Sequence, residues 1–406
     1  MSRGYTPLLG YSTNVHRGET LAQVYRFLKD YTIPIRERVF GGDSCGLELR
    51  LGIGSAKELG TAKARREFKS YLDDGGLELF SVNAFPLLDF HAKRVKEKVY
   101  KPSWAEADRG RWTSRIAKIV AELVPEGVEA SISTLGGMYR REAHDHKSHQ
   151  KFARVALNCL ETFVELGQNG RPMVLAFEPE PETSFETSRD VIEFFDTHLL
   201  PMALERWRHM GSKSKIEDLL RQHFSVNVDT CHFSVLFEDQ IDNLSALEKA
   251  GIRLGKLHVT NAVALENPYR SPGGYEDLRR MHEPRYFHQF CGTDKNGEVA
   301  WRGLDLDLLP KTLDRKKHPD VAELRSHFHV PVYLKRYNRL KTTLDDTERA
   351  LRYVVRRKQT EHLVLETYTW PILTGDRSVA GRAEARAKLI RGITKEFRWL
   401  RGVLGK

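Results

Sequence analysis

No apolar run in this sequence approaches the roughly 20 residues needed to cross a bilayer. The first ten residues lack the basic start and long apolar stretch of a secretory signal. Cysteine is scarce: Cys45, Cys159, Cys231 and Cys291 are scattered without CxxC spacing, so neither a disulfide framework nor a zinc knuckle is implied. Internal repeats and low-complexity linkers are also missing. These absences point to one elaborated domain, residues 1–406, working in a reducing cytoplasm.

What the chain has in excess is positive charge. The formal net charge is +10, with basic clusters at residues 91–101, 311–317, 335–341 and 356–358. A nucleic-acid partner would also call for interleaved aromatics or a recognisable motif, and neither is present, so none is expected. An anionic small substrate, or plain solubility, accounts for the charge. A hydrophobic content of 40% is enough for a sizeable core.

Short apolar or β-branched runs alternate with segments of three-to-four-residue periodicity. The strand candidates are residues 9–14, 47–53, 79–84, 128–134, 173–178, 224–229, 256–260, 327–333 and 362–367. Helical periodicity is clear at 19–28, 116–123 and 343–354. Parallel strands need crossover helices, so this rhythm predicts an α/β fold, a (β/α)8 TIM barrel. Nine candidates are one too many. Residues 261–326 read as a large insertion near the barrel mouth, after the seventh strand. Residues 327–333 then form an additional strand near the mouth, and 362–367 the eighth. Residues 382–406 read as a C-terminal amphipathic helix, with Leu389, Ile390, Ile393, Phe397, Leu400 and Leu404 on one face. Packing on the barrel is the plain expectation for it; a peripheral membrane or protein contact through its basic face is the alternative.

The chemistry lies where charged residues end apolar strands. Val174-Leu-Ala-Phe-Glu178 runs directly onto a carboxylate, as does Phe224-Ser-Val-Asn-Val-Asp229, which has His232 three residues on. Lys256-Leu-His258-Val holds a histidine, and Leu363-Val-Leu-Glu366 ends on another acid. Singly, such an acid more often caps the next helix or meets an arginine, and such a histidine is more often a satisfied core residue. Four of them on strands of one barrel converge at its C-terminal mouth. Three buried carboxylates repel one another, and a divalent cation relieves that most simply. Glu178, Asp229, His258 and Glu366 are therefore the candidate ligands. One imidazole among oxygens suits Mn, Co, Mg or Fe, with Zn not excluded. His327 and His329, two apart on a strand, share a face, so both enter the site or neither does. His288, Asn14 and Asn83 are further candidates for the mouth.

The order Glu, Asp-x-x-His, His, Glu on successive strands resembles the xylose isomerase-like superfamily, which includes sugar epimerases, inosose dehydratases and endonuclease IV. Tyr11-Ser-Thr-Asn14-Val-His16, Phe177-Glu-Pro-Glu-Pro181, Asp229-Thr-Cys-His232, His327-Phe-His329-Val-Pro331 and Glu366-Thr-Tyr-Thr-Trp370 more closely resemble EboE-type metabolite traffic proteins. The likeness runs over nearly the whole chain.

The epimerase branch implies that Glu178, Asp229, His258 and Glu366 hold the metal and that His232 binds a substrate oxygen. Glu178 and Glu366 would then exchange a proton on a sugar, cyclitol or related polyol, phosphorylated or not. There is a departure: the epimerases carry a substrate arginine soon after the strand-seven histidine, whereas Thr260-Asn-Ala-Val-Ala offers none, leaving Arg270 as the substitute. A dehydratase would use the same residues. The other readings are an endonuclease IV-like metal phosphodiesterase, to which His327 and His329 would contribute, and a non-catalytic metabolite-binding component of a traffic pathway. Asn83 stands where the nuclease would have an early-strand histidine. Oligomeric state is not legible.

Overall fold

The computed structural model describes residues 5–144, 147–373 and 383–405; positions 382 and 406, expected in the terminal helix, lie outside them. Its strands in chain order are β1 Leu8–Tyr11, β2 Cys45–Leu49, β3 Leu77–Asn83, β4 Ala130–Leu135, β5 Met173–Glu178, β6 Phe224–Asp229 and β7 Arg253–Val259. There follow β8 Asn261–Glu266, β9 Phe290–Thr293, β10 Val299–Gly303, β11 Glu323–Val330, β12 Arg336–Tyr337, β13 Leu340–Thr342 and β14 His362–Leu365.

Strands β1 to β7 and β14 form one parallel sheet in the order β1-β14-β7-β6-β5-β4-β3-β2. A parallel bridge between Ser12 and Glu48 joins the ends of that order into a ring. Helices such as Ala107–Leu123, Ser148–Gln168 and Leu344–Arg357 return the chain between strands. The fold is a (β/α)8 barrel, as the alternation predicts.

The remaining strands build a second, antiparallel sheet, ordered β10-β9-β11-β8-β13-β12. Residues 261–326 contain no barrel strand, but they do contain β8, β9, β10 and the start of β11. The sheet continues through residues 327–330 to β13, so the excursion from the barrel runs to residue 342 rather than stopping at 326. It has its own apolar core around Val263, Leu265, Phe290, Leu324 and Val330.

The barrel interior is unusually polar, and period-two alternation explains why it is tolerated. In β6, Val226 and Val228 face outward into the main apolar core, while Ser225, Asn227 and Asp229 take the other face. In β7, Leu257 and Val259 do the same for Lys256 and His258. Bonds across the barrel satisfy these inward groups. Lys256 pairs with Glu48 of β2, and its ammonium also donates to Ser133 Oγ at 2.8 Å. The His362 ring lies 2.8 Å from Ser131 Oγ.

The terminal helix Ala383–Val403 buries Leu389, Ile390, Ile393, Phe397 and Leu400 against the barrel, the plain reading of its apolar face. Glu396 is also buried, 1% exposed, and accepts hydrogen bonds from Thr367 Oγ1 at 2.6 Å, Trp370 Nε1 at 2.8 Å and the Val332 amide at 3.3 Å. The helix is thereby tied to the segment that carries Glu366. Burial pushes the Glu396 carboxyl up from 4.5 to about 7, the donors offsetting only part of it. A folded value above the unfolded one means that this residue's contribution to stability is full below about 4.5 and lost as pH rises through about 7. Glu396→Gln removes that dependence. The melting temperature of the wild type relative to the variant is expected to fall between about pH 5 and about pH 8. Parallel melting curves across that range would refute the assignment.

Candidate active site at the barrel mouth

Glu178 is the last residue of β5, Asp229 the last of β6, His258 the penultimate residue of β7, and Glu366 directly follows β14. The barrel brings one ligand atom from each to within 4.8 Å of the others. His258 Nδ1 is the centre: it lies 2.8 Å from Glu366 Oε2, 3.4 Å from Glu178 Oε1 and 3.8 Å from Asp229 Oδ2. The Asn227 amide is 3.1 Å from the same nitrogen. All four residues are at least 96% buried.

The neighbours of each group fix its direction. Asp229 Oδ1 caps the following helix, accepting from the amides of Cys231 at 2.7 Å and His232 at 3.3 Å, as an acid before a helix should. Its Oδ2 has no hydrogen-bond partner, and neither has Glu178 Oε2, although both are buried. One Asp229 oxygen thus takes the capping role and the other is free for the site. Asn14 and Asn83 both donate to Glu366 Oε1, at 2.7 Å and 3.1 Å, which leaves Oε2 facing His258.

Burial and then Glu366 push the Asp229 carboxyl well above its ordinary range. Glu178 is raised by burial, with His258 opposing. Burial acts the same way on Glu366, but His258 outweighs it and holds that carboxyl low. Burial would depress His258, yet Glu366 and Glu48 lift it well above its usual value. Two orphaned oxygens beside an imidazole nitrogen, with three carboxylates in one place, fit a divalent cation, which would offset their mutual repulsion.

Glu48 and Lys256 belong to this centre and were not singled out from the sequence. Glu48 Oε1 is 3.1 Å from His258 Nε2, the nitrogen turned away from the cluster. Burial alone would raise the Glu48 carboxyl, but Lys256 and His258 together bring it down to about 2. A carboxylate on the far nitrogen orients a ligating imidazole and strengthens it as a donor. There was a signal for both: Lys256 lies two residues before His258, hence on the same inward face, and a buried lysine demands an acid. Glu48, inside the apolar run Leu47-Glu48-Leu49, is such an acid.

Above the cluster opens a cavity whose empty space, counted with the part open to solvent, is about 550 Å³. Its walls include Asn14, Asn83, Glu178, Glu180, His232, His327, His329 and Glu366. His327 and His329 therefore both face the site, the first of the two options their spacing allowed. Phe90, Tyr286 and Tyr368 add an aromatic rim, with Phe90 and Tyr286 ring centroids 4.7 Å apart. Asp229 and His258 lie deeper, with no exposure. His288 is fully buried behind the wall, its Nδ1 donating to the His327 carbonyl oxygen at 2.9 Å. Arg270 is exposed at the end of the turn Pro268–Arg270 and takes no part in the cavity wall. Among the described residues that line the cavity the cationic one is Lys96, already paired with Asp305.

A (β/α)8 barrel with a carboxylate and histidine centre at its C-terminal mouth is thus the class that fold and site define. Solved structures with a likeness to the chain include a D-psicose 3-epimerase with D-tagatose from Clostridium cellulolyticum H10, at 13% identity and TM-score 0.46, covering 98% of this chain and 99% of that one. A 3-keto-D-glucoside 4-epimerase from E. coli is 15% identical, TM-score 0.38, over 62% of this chain and 78% of that one. A xylose isomerase domain protein from Planctomyces limnophilus is 12% identical, TM-score 0.39, over 64% and 75%. Likenesses of this degree carry no argument about activity. No family model and no curated protein matches the chain.

Proposed function

We propose that the chain is a metal-dependent isomerase or epimerase that moves a proton beside a carbonyl of a sugar, cyclitol or related polyol. The observation that carries this reading is the placement of Glu178 and Glu366 around one imidazole nitrogen, with Glu366 held by two amides and both acids opening onto the cavity. Glu178, Asp229, His258 and Glu366 would hold the cation. When bound, a divalent cation polarises a carbonyl and offsets the negative charge that grows as the α-proton leaves.

The chain's own residues do the rest. One of the two glutamates takes the proton from the α-carbon and the other returns one, which inverts or relocates the centre. Asn14 and Asn83 keep Glu366 in a single orientation through both steps. Glu48 keeps His258 facing the cluster. The aromatic rim offers apolar faces to the C–H side of a polyol and helps to exclude water.

The EboE-type assignment, with a place in a metabolite-traffic pathway of the cytoplasm, goes with this proposal and is supported by the phrases around Glu178, Asp229, His327 and Glu366. Among the described residues no helix is long and apolar enough to cross a membrane. The outward face of the terminal helix is where a peripheral membrane or pathway-protein contact would form.

A screen of sugars and cyclitols in deuterated water, read by mass and NMR, tests the reaction. Product bearing deuterium at the carbon beside the carbonyl is expected. Turnover that leaves that carbon unlabelled would defeat the proton-transfer reading.

A further inference from the structure

On the outer wall of the barrel, helix Ala107–Leu123 runs between helices Ala62–Asp74 and Ser148–Gln168 and packs on both. It is mostly buried, and beyond its first turn its exposed positions are Arg111, Arg115, Lys118 and Glu122. Residues three and four apart share one face of a helix, so the three cations form a single stripe. Like charges at that spacing cost the helix stability, which gives the stripe no structural reason.

The stripe is the floor of a groove whose walls add Lys57, Arg65 and Arg66 on one side and Arg171 on the other. Seven cations line it against two acids, Glu122 and Glu165, a surplus equal to half of the chain's formal +10. Arg65 is engaged by Glu122 at 2.8 Å and Arg111 by Asp108, while Lys118 meets Glu165 only at 3.9 Å. Lys57, Arg66, Arg115 and Arg171 are in no ion pair among the described residues.

Arg111 and Arg115 also border an apolar hollow formed by Ile53, Leu87, Leu88, Pro102 and Trp112. Ile53 is 43% exposed and Leu88 41%, two of the five large hydrophobic side chains that the described residues leave open to solvent. Single exposed apolar residues are ordinary, but two of them in one hollow beside a cationic groove mark a contact surface. Neither the groove nor the hollow shares a residue with the cavity at the mouth.

The chemistry selects the occupant. Five of the seven cations are arginines, whose planar forks suit carboxylates. Among the described residues no aromatic side chain lines the groove, so nucleic-acid bases would find nothing to stack on. An anionic membrane would press a continuous layer of phosphates onto Glu122 and Glu165 as well. A peptide can set its carboxylates beside the cations alone. The step from Arg111 to Arg115 along the helix axis is about 6 Å, close to the roughly 7 Å between alternate residues of an extended strand.

We propose that this face docks an acidic segment of a partner protein, its carboxylates along the groove and an apolar side chain anchored in the hollow between Ile53 and Leu88. Arginine clusters recognise acidic motifs in this way, and a buried apolar anchor supplies most of the affinity. The proposal does not depend on the isomerase reading, because it uses other residues and predicts a contact, not a reaction.

The test is fluorescence anisotropy on the full chain with short labelled peptides that begin with leucine and continue with alternating glutamate and serine. Binding is expected, weakening as salt is raised. The same peptide with glutamine for glutamate should not bind. The double variant Arg115→Glu, Lys118→Glu should lose about tenfold or more in affinity, with circular dichroism and melting temperature showing that the barrel is intact. Leu88→Ser should weaken the leucine peptide and leave one that begins with serine unaffected. The proposal is overturned if the glutamate peptide binds no better than the glutamine one, or if the charge-reversed chain binds it as well as the wild type. Leu88→Ser with unchanged affinity for the leucine peptide overturns the anchor. Phosphatidylglycerol vesicles or single-stranded DNA that displace the peptide and bind more tightly through Arg115 and Lys118 would overturn the choice of a protein partner.

Discussion

Glu366→Gln and Glu178→Gln are each expected to slow solvent exchange at the substrate's α-carbon by about 10²–10⁴-fold, the usual contribution of a positioned acid or base. Glutamine preserves shape, so Asn14 and Asn83 retain an oxygen to donate to at position 366. What disappears is the ability to take the proton and return it. Because both acids are also candidate ligands, the variants must be assayed with saturating cation and their metal content measured alongside. The double variant should lose little more than either single one, as residues acting as a unit do. Asn83→Ala, which loosens Glu366 without removing a proton carrier, should have the smaller effect. An unchanged exchange rate in either fully loaded glutamine variant would remove that residue from the chemistry.

The next largest effect is expected from the ion pair inside the barrel. Lys256 and Glu48 have no solvent exposure. Removing Lys256 leaves Glu48 buried with His258 and Ser81 but without its lysine, and breaking a buried ion pair typically costs about 3–5 kcal/mol. Lys256→Met should therefore shift denaturant unfolding strongly toward lower concentration. The double variant Glu48→Gln, Lys256→Met should recover much of that loss, because a neutral pair of similar volume replaces the charges. Cation affinity is expected to follow a different pattern. Both the single and the double variant at Glu48 lose the carboxylate behind His258 Nε2 and should bind the cation about 10–100-fold more weakly. If stability and affinity recover together in the double variant, the pair is structural only.

Part of this centre is legible residue by residue. A strand running into an acid, as at Val174–Glu178 or Val226–Asp229, states both the strand and the direction of its last side chain, because side chains alternate with a period of two. A long excursion after the seventh strand could likewise be read from the lack of any further strand-and-helix unit there. Its interior could not. Strands β8 to β13 pair antiparallel across separations of up to about 80 residues, and the extent of a sheet set by such pairings is a tertiary property. The reading that ended the insertion at 326 divided β11 for that reason.

Other roles depended on what stands on the opposite side of the barrel. His288 carries the same side chain as His327 and His329 and lies nearby in sequence to β9, yet it packs behind the wall and braces the His327 carbonyl oxygen. Arg270 had a plausible charge but ended on an exposed turn. Glu48 was written into a strand and passed over because its partners, Lys256 and His258, are more than 200 residues away.

The sequence by itself determined the alternation that makes a barrel, the four strand ends that carry Glu178, Asp229, His258 and Glu366, and the rule that His327 and His329 act on one side. Those are consequences of local periodicity, which the chain carries in every window. Only the tertiary structure decided that both histidines face the cavity, that His232 meets His327 Nε2 to Nε2, and that Glu48 stands behind His258. Each of these is a contact between segments far apart in the chain, fixed when the ring closes and the antiparallel sheet settles over its mouth.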